Sequence, residues 1–357
     1  MRADLALVGF GNVGRAFVRL IEERRFRLAA EHDLDCRVVA IATRTRGCAY
    51  SADGLDAIAA AGRIEAGGEV PTATERADSP RDALECIGRL ASSTAPLRVL
   101  VETTTLSIEQ GRPAVDHVEA ALRAGCHAVT ANKGPAAFAW RRLQLLADDA
   151  GLSFLFEGAV MDGVPVFNLI RETMPTVSVL GFRGVINSTT NEILTALEDG
   201  EEFAPALARM QAAGIAEADP SLDVEGWDAA AKAAALANVL LDANTTPHDV
   251  DRTGIDATSG VAARAALSRG KRLRLVASAR RGERPVVRPT ELPSTDLLAG
   301  LRGTENAIVF ETDVLGDVAI CQLSGGLTLT AYALLSDLVT VLRRHRARSA
   351  APARRSL

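Results

Sequence analysis

The stretch ADLALVGFGNVGRAFVRLIEERRF, residues 3–26, determines the fold predicted for the first part of the chain. An apolar run from Leu5 to Val8 leads into three glycines spaced as G-x-G-x-x-G, and apolar residues at helical spacing follow. Between a strand and a helix, the first glycine permits a tight turn, the second lets a pyrophosphate approach the backbone, and the third lets helix and strand pack closely. The predicted cofactor loop comprises Gly9, Phe10, Gly11, Asn12, Val13 and Gly14. The alternative is a glycine turn that binds no ligand.

Apolar runs alternate with helical patterns through the first 160 residues. After the opening unit, the runs lie at 38–42, 97–105, 126–134 and 152–160, and DHVEAALRAG (116–125) has a helical pattern. Strands that alternate with helices predict a parallel sheet covered by helices on both faces.

The pattern changes after about Gly151. A strand at 178–187 precedes a helix at 189–200, where Thr189 and Glu192 have the spacing of a capping box. Residues 272–292 and 306–325 predict hairpins, and 329–344 predict a last helix. The second part of the chain therefore has a mixed α+β character.

Composition restricts the partners. The chain has 357 residues, 48% hydrophobic and 24% charged, with a net charge of -5, which gives no reason to expect nucleic acid or a membrane as partner. No apolar run reaches the ~20 residues of a transmembrane helix. The absence of a CxxC pair favours a reducing cytoplasm over a disulfide scaffold or a zinc site. The five cysteines are scattered, at Cys36, Cys48, Cys86, Cys126 and Cys321.

The end of the second predicted strand bears on the choice of dinucleotide. NAD sites place an acid there for the ribose hydroxyl, whereas a 2′-phosphate favours arginine. Here the strand runs into Thr43-Arg44-Thr45-Arg46 without an acid. We therefore expect NADP(H) to be preferred over NAD(H), with Arg44 at the 2′-phosphate. Alternatively, both arginines only solvate the strand end.

Polar residues also follow the next two predicted strands. Thr103 to Thr105 end one of them, and Lys133 follows the other in TANKGP (130–135). Ligands of an open α/β sheet bind outside the carboxyl ends of its strands. Lys133 is therefore predicted to face a substrate or cofactor, the alternative being a surface lysine on a loop.

The segment AEADPSLDVEGWDAAAK (216–232) places five carboxylates before one lysine. Asp228 and Lys232 are four residues apart, so they share a helical face, and the surrounding alanines imply close packing. A surface ion pair of this kind contributes only a few tenths of a kcal/mol. Alternatively, Glu217 and Asp223 hold an ammonium group in a cleft, and Lys232 transfers a proton.

Across residues 4–340 the chain resembles the homoserine dehydrogenases. The resemblance rests on GFGNVG (9–14), VTANKGP (129–135), GAVMDGVPV (158–166), GVINSTTNEILT (184–195) and AGIAEADPSLDVEGWDAAAK (213–232). That family interconverts L-homoserine and L-aspartate 4-semialdehyde with NAD(P)(H), in the biosynthesis of threonine, methionine and isoleucine. The resemblance implies the same reaction here.

The resemblance also implies roles for individual residues. Lys232 matches the proton donor and Lys133 a second active-site lysine, while Glu217 and Asp228 match the residues that hold the substrate's amino group. Positions that touch the cofactor are matched by Thr103, Gly214 and Gly325. A structural sodium ion is implied on the backbone carbonyls of Glu157, Val160, Asp162 and Val164.

The implied fold is α/β. It comprises a Rossmann-type nucleotide-binding domain (1–156), an α+β catalytic and dimerisation domain (157–322), a C-terminal helix that returns to the first domain (323–342), and a basic, disordered tail (343–357). A homodimer is expected. The sequence has neither a regulatory domain after residue 340 nor a kinase domain before the dehydrogenase, so we expect a short form.

The chain departs from the family pattern at three places. Ser188 replaces a glycine, Met161-Asp162 replaces small residues in the sodium loop, and Ser324-Gly325-Gly326-Leu327 differs from the usual glycine- and alanine-rich form. Two other functions remain open, namely a different amino-acid dehydrogenase, for example one acting on aspartate, and a catalytically silent nucleotide sensor. Aspartate semialdehyde dehydrogenase would need a nucleophilic cysteine, for which no cysteine here has a suitable setting.

Overall fold

The computed structural model of the protein describes residues 1–70, 79–212 and 219–350. The chain divides into two units. The first consists of Met1–Pro135, Arg141–Gly163 and the residues from Gly326 onward, and the second consists of Ala136–Trp140 and Val164–Gly325.

The first unit is built on a 6-stranded sheet with the strand order β3-β2-β1-β4-β5-β6. Its strands are β1 (Arg2–Val8), β2 (Asp35–Ala42), β3 (Cys48–Tyr50), β4 (Leu97–Glu102), β5 (His127–Thr130) and β6 (Phe154–Leu155). All neighbours pair in parallel except β3, which is antiparallel to β2. Because β1 lies between β2 and β4, the loop after β1 lies where the strand order reverses, which is the usual ligand position in such sheets.

In the described part of this unit, six helices belong to it wholly or largely. They are α1 (Asn12–His32), α2 (Ala57–Glu65), α3 (Ala83–Ala91), α4 (Ala114–Arg123), α5 (Lys133–Asp149) and the last helix, α12 (Leu327–Ala350). A continuous apolar core joins the strands to α1 and α12. The predicted α/β fold, with a C-terminal helix that returns to the first domain, is confirmed.

The second unit contains the other 6-stranded sheet, with the order β12-β11-β7-β9-β10-β8. Its strands are β7 (Val179–Val185), β8 (Asp251–Arg252), β9 (Lys271–Arg280), β10 (Val286–Pro293), β11 (Asn306–Thr312) and β12 (Gly316–Gln322). Its helices are α6 (Val166–Thr173), α7 (Ser188–Glu198), α8 (Phe203–Ala212), α9 (Ser221–Val224), α10 (Trp227–Leu241) and α11 (Ser259–Ser268). The hairpins predicted at 272–292 and 306–325 are present as the antiparallel pairs β9–β10 and β11–β12.

Two local predictions differ from the structure. The run at 152–160 forms only the short strand β6 and then a 3-10 turn, Glu157–Ala159. Helix α7 begins after Asn187, whose side chain accepts the Thr190 N–H, so the capping box at Thr189 is wrong. Asparagine is as effective a cap as any residue, and it lies directly at the strand end.

The end of the chain also differs from the prediction. Helix α12 continues to Ala350 through residues predicted to be disordered, because 343–350 contain only good helix formers and histidine and serine, without glycine or proline. Arg346 binds the Asp33 carboxylate at 2.9 Å, and His345 packs edge-on against His127. Residues 351–357 of the predicted tail lie outside the described ranges.

Candidate functional site

The three glycines of the loop differ in the space around them, as a tight turn, an open position and a close packing contact would require. Gly9 has a φ of +90°, and a Cβ there would lie 2.5 Å from the carbonyl carbon of Thr103. A Cβ on Gly14 would lie 2.8 Å from the Gly9 oxygen. Around Gly11, in contrast, no described atom lies within 4 Å of such a Cβ. The packing of the protein therefore requires glycine at the first and third positions, whereas the second leaves room for a ligand.

The start of α1 suits a phosphate. Gly11 is the N-cap, the first turn contains no acid, and no side chain caps the helix. Its first N–H groups and its dipole can therefore act on an anion. Asn12 is exposed, Phe10 is buried and Val13 is half-buried. Arg15, in the first turn of α1, donates to Asn12 Oδ1 at 2.7 Å and to the Phe10 carbonyl at 3.2 Å, so the helix itself stabilises the loop.

Thr103 lies against this loop. Its N–H binds the Val8 carbonyl at 2.8 Å, and its hydroxyl donates to the Gly9 carbonyl. The predicted cofactor positions on β1 and β4 are thus in contact. The residues of this loop and Thr103 fit a pyrophosphate-containing dinucleotide.

Arg44 lies in the turn between β2 and β3. The Thr43 hydroxyl donates to the Gly47 carbonyl and accepts the Arg46 N–H, each at 2.8 Å. Arg44 is exposed, whereas the Arg46 guanidinium donates to the Gly67 carbonyl. Arg46 is exposed as well, so both arginines predicted to end the strand reach solvent, and Arg46 is in addition tied to the segment after α2.

A buried carboxylate, Glu102, organises the ends of β4 and β5. It accepts the Thr130 hydroxyl at 2.7 Å and the Thr104 N–H at 2.9 Å. The Thr130 hydroxyl in turn accepts the Asn132 N–H, and Asn132 caps α5 by accepting the Gly134 N–H at 2.8 Å. Lys133 is thus the first residue of a capped helix, half-buried, and not a lysine on a loop.

The lysine of α10 is held by two acceptors. Its Nζ donates to the Ile186 carbonyl at 2.6 Å and pairs with Asp228 Oδ2 at 3.0 Å. The Lys232 and Asp228 side chains are only 14% and 15% exposed, so they do not form a solvated surface pair. The alanines on either side are buried, which explains why the sequence has so many small residues there.

Asp223 joins this pair through one amide. Asn187 Nδ2 donates to Asp223 Oδ1 at 2.7 Å and to Asp228 Oδ2 at 2.9 Å. Burial raises the pKa of the Asp223 carboxyl above its usual range, and the negative charge of Asp228 raises it further. The cluster thus holds two carboxylates close to one ammonium group.

The short helix that carries Asp223, α9, is fixed by β8 and the segment after it. Ile255 N–H binds the Val224 carbonyl at 2.7 Å, and Arg252 donates to the Glu225 carbonyl. A Cβ on Gly254 would overlap the Val224 oxygen, so only glycine permits this approach. Trp227 stacks beneath Arg252, with the guanidinium carbon 3.7 Å from the ring centroid.

Three other predicted positions are less informative. Gly214 and Glu217 lie outside the described residues. Gly325 is exposed and lies two residues before the start of α12.

Side chains of the first unit form hydrogen bonds at the predicted sodium loop. Asp162 has a φ of +45°, and its carboxylate accepts the Thr330 hydroxyl at 2.9 Å and the Gly326 N–H at 3.3 Å. The buried Asp337 side chain accepts the Glu157 N–H at 2.8 Å through one of its carboxyl oxygens. The Val160 side chain is buried, and the Val164 carbonyl accepts the Val166 N–H at 2.8 Å. Among the described residues no cluster of three acidic, histidine or cysteine side chains could hold a metal, so any ion here would depend on carbonyls.

Sequence reasoning missed Glu102 and Asn187. Each is a polar residue at the end of an apolar strand run, a position where unsatisfied groups meet ligands and helix starts. That position was the available signal. The partners of Asn187, however, lie 36 and 41 residues away in sequence, so spacing could not reveal them.

Comparisons with known proteins agree with this fold and these residues. The family model "Homoserine dehydrogenase" matches residues 165–339, and "Homoserine dehydrogenase, NAD binding domain" matches 9–157. The NAD(+)-dependent homoserine dehydrogenase of Pseudomonas canavaninivorans is 36% identical, over 94% of this chain and 95% of its own. The homoserine dehydrogenase of Methanocaldococcus jannaschii is 34% identical, over 95% and 98%. A solved hyperthermophilic archaeal homoserine dehydrogenase in complex with NADPH has a TM-score of 0.78 at 27% identity, over 96% and 98%.

Together, the fold, the glycine loop and these relatives define an oxidoreductase that binds a nicotinamide dinucleotide. The chain belongs to the homoserine dehydrogenase family. Within the part of the chain that the structure describes, no helix is long and apolar enough to cross a membrane.

Proposed function

We propose that the chain interconverts L-homoserine and L-aspartate 4-semialdehyde, with Lys232 as the group that transfers the proton. The observation that carries the proposal is the hydrogen bonding of its ammonium group. Lys232 Nζ has three N–H donors, and acceptors among the described residues occupy two of them, Ile186 O and Asp228 Oδ2. The third is available to the substrate oxygen.

The bound dinucleotide supplies the hydride donor or acceptor. In the direction of reduction, Lys232 donates its proton to the aldehyde oxygen as that oxygen gains negative charge. In the direction of oxidation, the neutral amine takes the proton of the hydroxyl. Asp228 orients the amine in both directions and offsets the charge of its protonated form.

Charge balance favours an ammonium-bearing substrate. With all groups ionised, Asp223 and Asp228 contribute two negative charges and Lys232 one positive charge, which leaves an excess of one negative charge. The α-ammonium group of homoserine would offset this excess and the like-charge repulsion that raises the pKa of Asp223. We assign Asp223, Asp228 and Glu217 to the substrate's amino group, and Lys133 as a second active-site lysine.

For the cofactor, we propose a preference for NADP(H), with the exposed Arg44 at the 2′-phosphate and no acid at the end of β2. The NADPH complex of the archaeal structure is consistent with this choice. NAD(H) is the competing candidate, because the Pseudomonas relative is named as NAD(+)-dependent. Comparison of kcat/KM for NADPH and NADH decides between them.

Two family features are also carried forward. We propose that Na+ binds the carbonyls of Glu157, Val160, Asp162 and Val164, since carbonyl oxygens suit hard cations and the Asp337 side chain holds the backbone of the loop at Glu157. Replacing Na+ by a bulky organic cation at constant ionic strength should then lower the melting temperature, and an unchanged value would contradict the assignment.

We further propose a homodimer formed by the second unit. β12 is an edge strand, and exposed apolar side chains lie beside it at Val314, Leu315 and Leu323. An exposed edge strand with apolar neighbours favours association. Light scattering should give twice the mass of the 37.6 kDa chain, and a monomer would contradict the proposal.

The decisive experiment for the activity is NADPH oxidation with L-aspartate 4-semialdehyde, followed by loss of NADPH absorbance. L-Aspartate with NADP+ serves as the test of the competing dehydrogenase. Turnover of the semialdehyde supports the proposal. Turnover of aspartate, or NADPH binding without turnover of either compound, would overturn it.

A further inference from the structure

We propose that Asn187 is a positioning residue whose single amide holds Asp223, Asp228 and, through Asp228, Lys232 in their reactive arrangement. The inference rests on the proposed function of Lys232. Asn187 contacts both carboxylates, and one of them, Asp228, pairs with Lys232. The inference requires no contact between Asn187 and the substrate.

The amide is used completely and in one orientation. Its two N–H groups bind Asp223 Oδ1 and Asp228 Oδ2 at 2.7 and 2.9 Å. Its oxygen accepts the Thr190 N–H at 2.8 Å and the Thr190 hydroxyl at 2.9 Å. Because the side chain is 5% exposed, water cannot readily replace these partners. A flipped amide would place its oxygen against two carboxylates.

Both acceptors of Lys232 depend on the same turn. Ile186 provides a backbone carbonyl, and the next residue, Asn187, fixes the Asp228 oxygen that pairs with Lys232. Asp228 Oδ2 therefore accepts from both the amide and the ammonium group. Displacing the amide would remove one hydrogen bond from the carboxylate that orients the lysine, although Lys232 itself would be unaltered.

Ser188 anchors this turn to a distant segment. Its hydroxyl donates to the Thr304 carbonyl at 3.1 Å and accepts from Asn306 Nδ2 at 2.7 Å. Ser188 is a position at which the chain departs from the family pattern. The anchored turn explains how Asn187 can hold two carboxylates that repel each other.

The groups around Asp223 determine what loss of the amide would do. From α10, Asp228 raises the pKa of Asp223 and Lys232 lowers it; from the turn and first residues of α7, hydrogen bonds from Asn187 and Thr189 lower it. Burial is the largest cause of the raised pKa. Without the Asn187 donor, the pKa of Asp223 rises further, so its carboxylate is lost at a higher pH.

The main test variant is Asn187→Ser. Serine can still cap α7, so the start of the helix should be kept, but serine cannot reach both carboxylates. We expect kcat/KM for homoserine to fall by roughly 10- to 100-fold, the effect of losing hydrogen bonds to charged groups. The acidic limb of its pH profile should move to higher pH, and NADPH affinity should be unchanged.

Asn187→Asp keeps the size and the cap but adds a third carboxylate, and it should shift the acidic limb further. Asn191→Ser is the matched control, because Asn191 is a buried amide on the same helix that binds the Gly303 and Glu305 carbonyls instead. This control should lower the melting temperature and leave the acidic limb in place. A loss of equal size at every pH in Asn187→Ser, or no loss, would overturn the inference.

Failure of the proposed activity can be recognised separately. If the wild-type protein catalyses the reaction in neither direction, the proposed function fails. Titration of the carboxyl groups of ¹³C-labelled aspartates in the ligand-free protein then still tests the role of Asn187. Asn187→Ser should raise the titration midpoint of Asp223 above the wild-type value. An unchanged midpoint would overturn the role of the amide.

Discussion

Replacement of Lys232 by methionine tests the proposed chemistry most directly. Methionine keeps an unbranched apolar chain of similar length and removes the ammonium group. The change deletes the donor to the Ile186 carbonyl at 2.6 Å and to Asp228 at 3.0 Å. The side chains of Lys232 and Asp228 are only 14% and 15% exposed, so water does not readily replace the lost contacts.

The two explanations of Lys232 predict very different magnitudes. An ion pair on one helical face contributes only a few tenths of a kcal/mol to stability, and its loss would leave turnover almost intact. A positioned proton donor contributes roughly 10²–10⁴-fold to kcat, equivalent to about 3–5 kcal/mol of activation free energy. The second range is expected, because the lysine is largely buried and the described residues engage two of its three N–H donors.

The assay is steady-state kcat in both directions beside NADPH affinity by fluorescence. NADPH binding should survive, since the glycine loop belongs to the first unit. Lys271→Met is the matched control among the three lysines of the chain, because Lys271 is 44% exposed and pairs with Glu291 at 3.4 Å. Lys232→Arg should not restore the rate, since a guanidinium does not release its proton near neutral pH.

Near-normal turnover in Lys232→Met would refute the reasoning. The proton transfer would then have to be assigned to Lys133, the half-buried lysine at the start of α5. A loss of NADPH binding in the same variant would instead show that the substitution had disturbed more than the lysine.

Three further predictions address the cofactor and the stability of each unit. Arg44→Asp should weaken NADPH binding roughly 10-fold or more and spare NADH, and an equal effect on both cofactors would remove Arg44 from the 2′-phosphate. Burial, followed by the charge of His345, lowers the pKa of His127 to about 4, so its neutral form contributes stability above pH 6.5 that is lost as pH falls toward 4. About 2 kcal/mol should be lost between pH 6.5 and pH 5, and His127→Gln should flatten the dependence of melting temperature on pH, whereas parallel curves would contradict this. Glu198→Gln should lower the free energy of unfolding by about 3–5 kcal/mol, because it leaves the fully buried Arg274, whose guanidinium lies 2.8 Å from the Glu198 carboxylate, without its counter-charge. A decrease below about 1 kcal/mol, measured by chemical denaturation, would contradict this.

Local features of this protein were predictable from sequence because their geometry depends on neighbours in the chain. The glycine spacing predicted a turn at Gly9, an open position at Gly11 and close packing at Gly14, all of which the structure shows. The spacing of Asp228 and Lys232 predicted a shared helical face, and the alanines around them predicted burial. Each of these inferences needs only one helix or one turn.

The tertiary structure alone determined the contacts that complete the candidate site. Glu102 meets Thr130 because β4 and β5 are neighbours in register, and Asn187 meets Asp223 and Asp228 because the turn after β7 packs against α9 and α10. The end of α12 likewise meets a residue far away in sequence, because Arg346 pairs with Asp33. Hydrophobic periodicity specifies which face of an element is buried, but it does not specify the partner that the face meets. The amide that joins the two carboxylates therefore became visible only when the elements were packed.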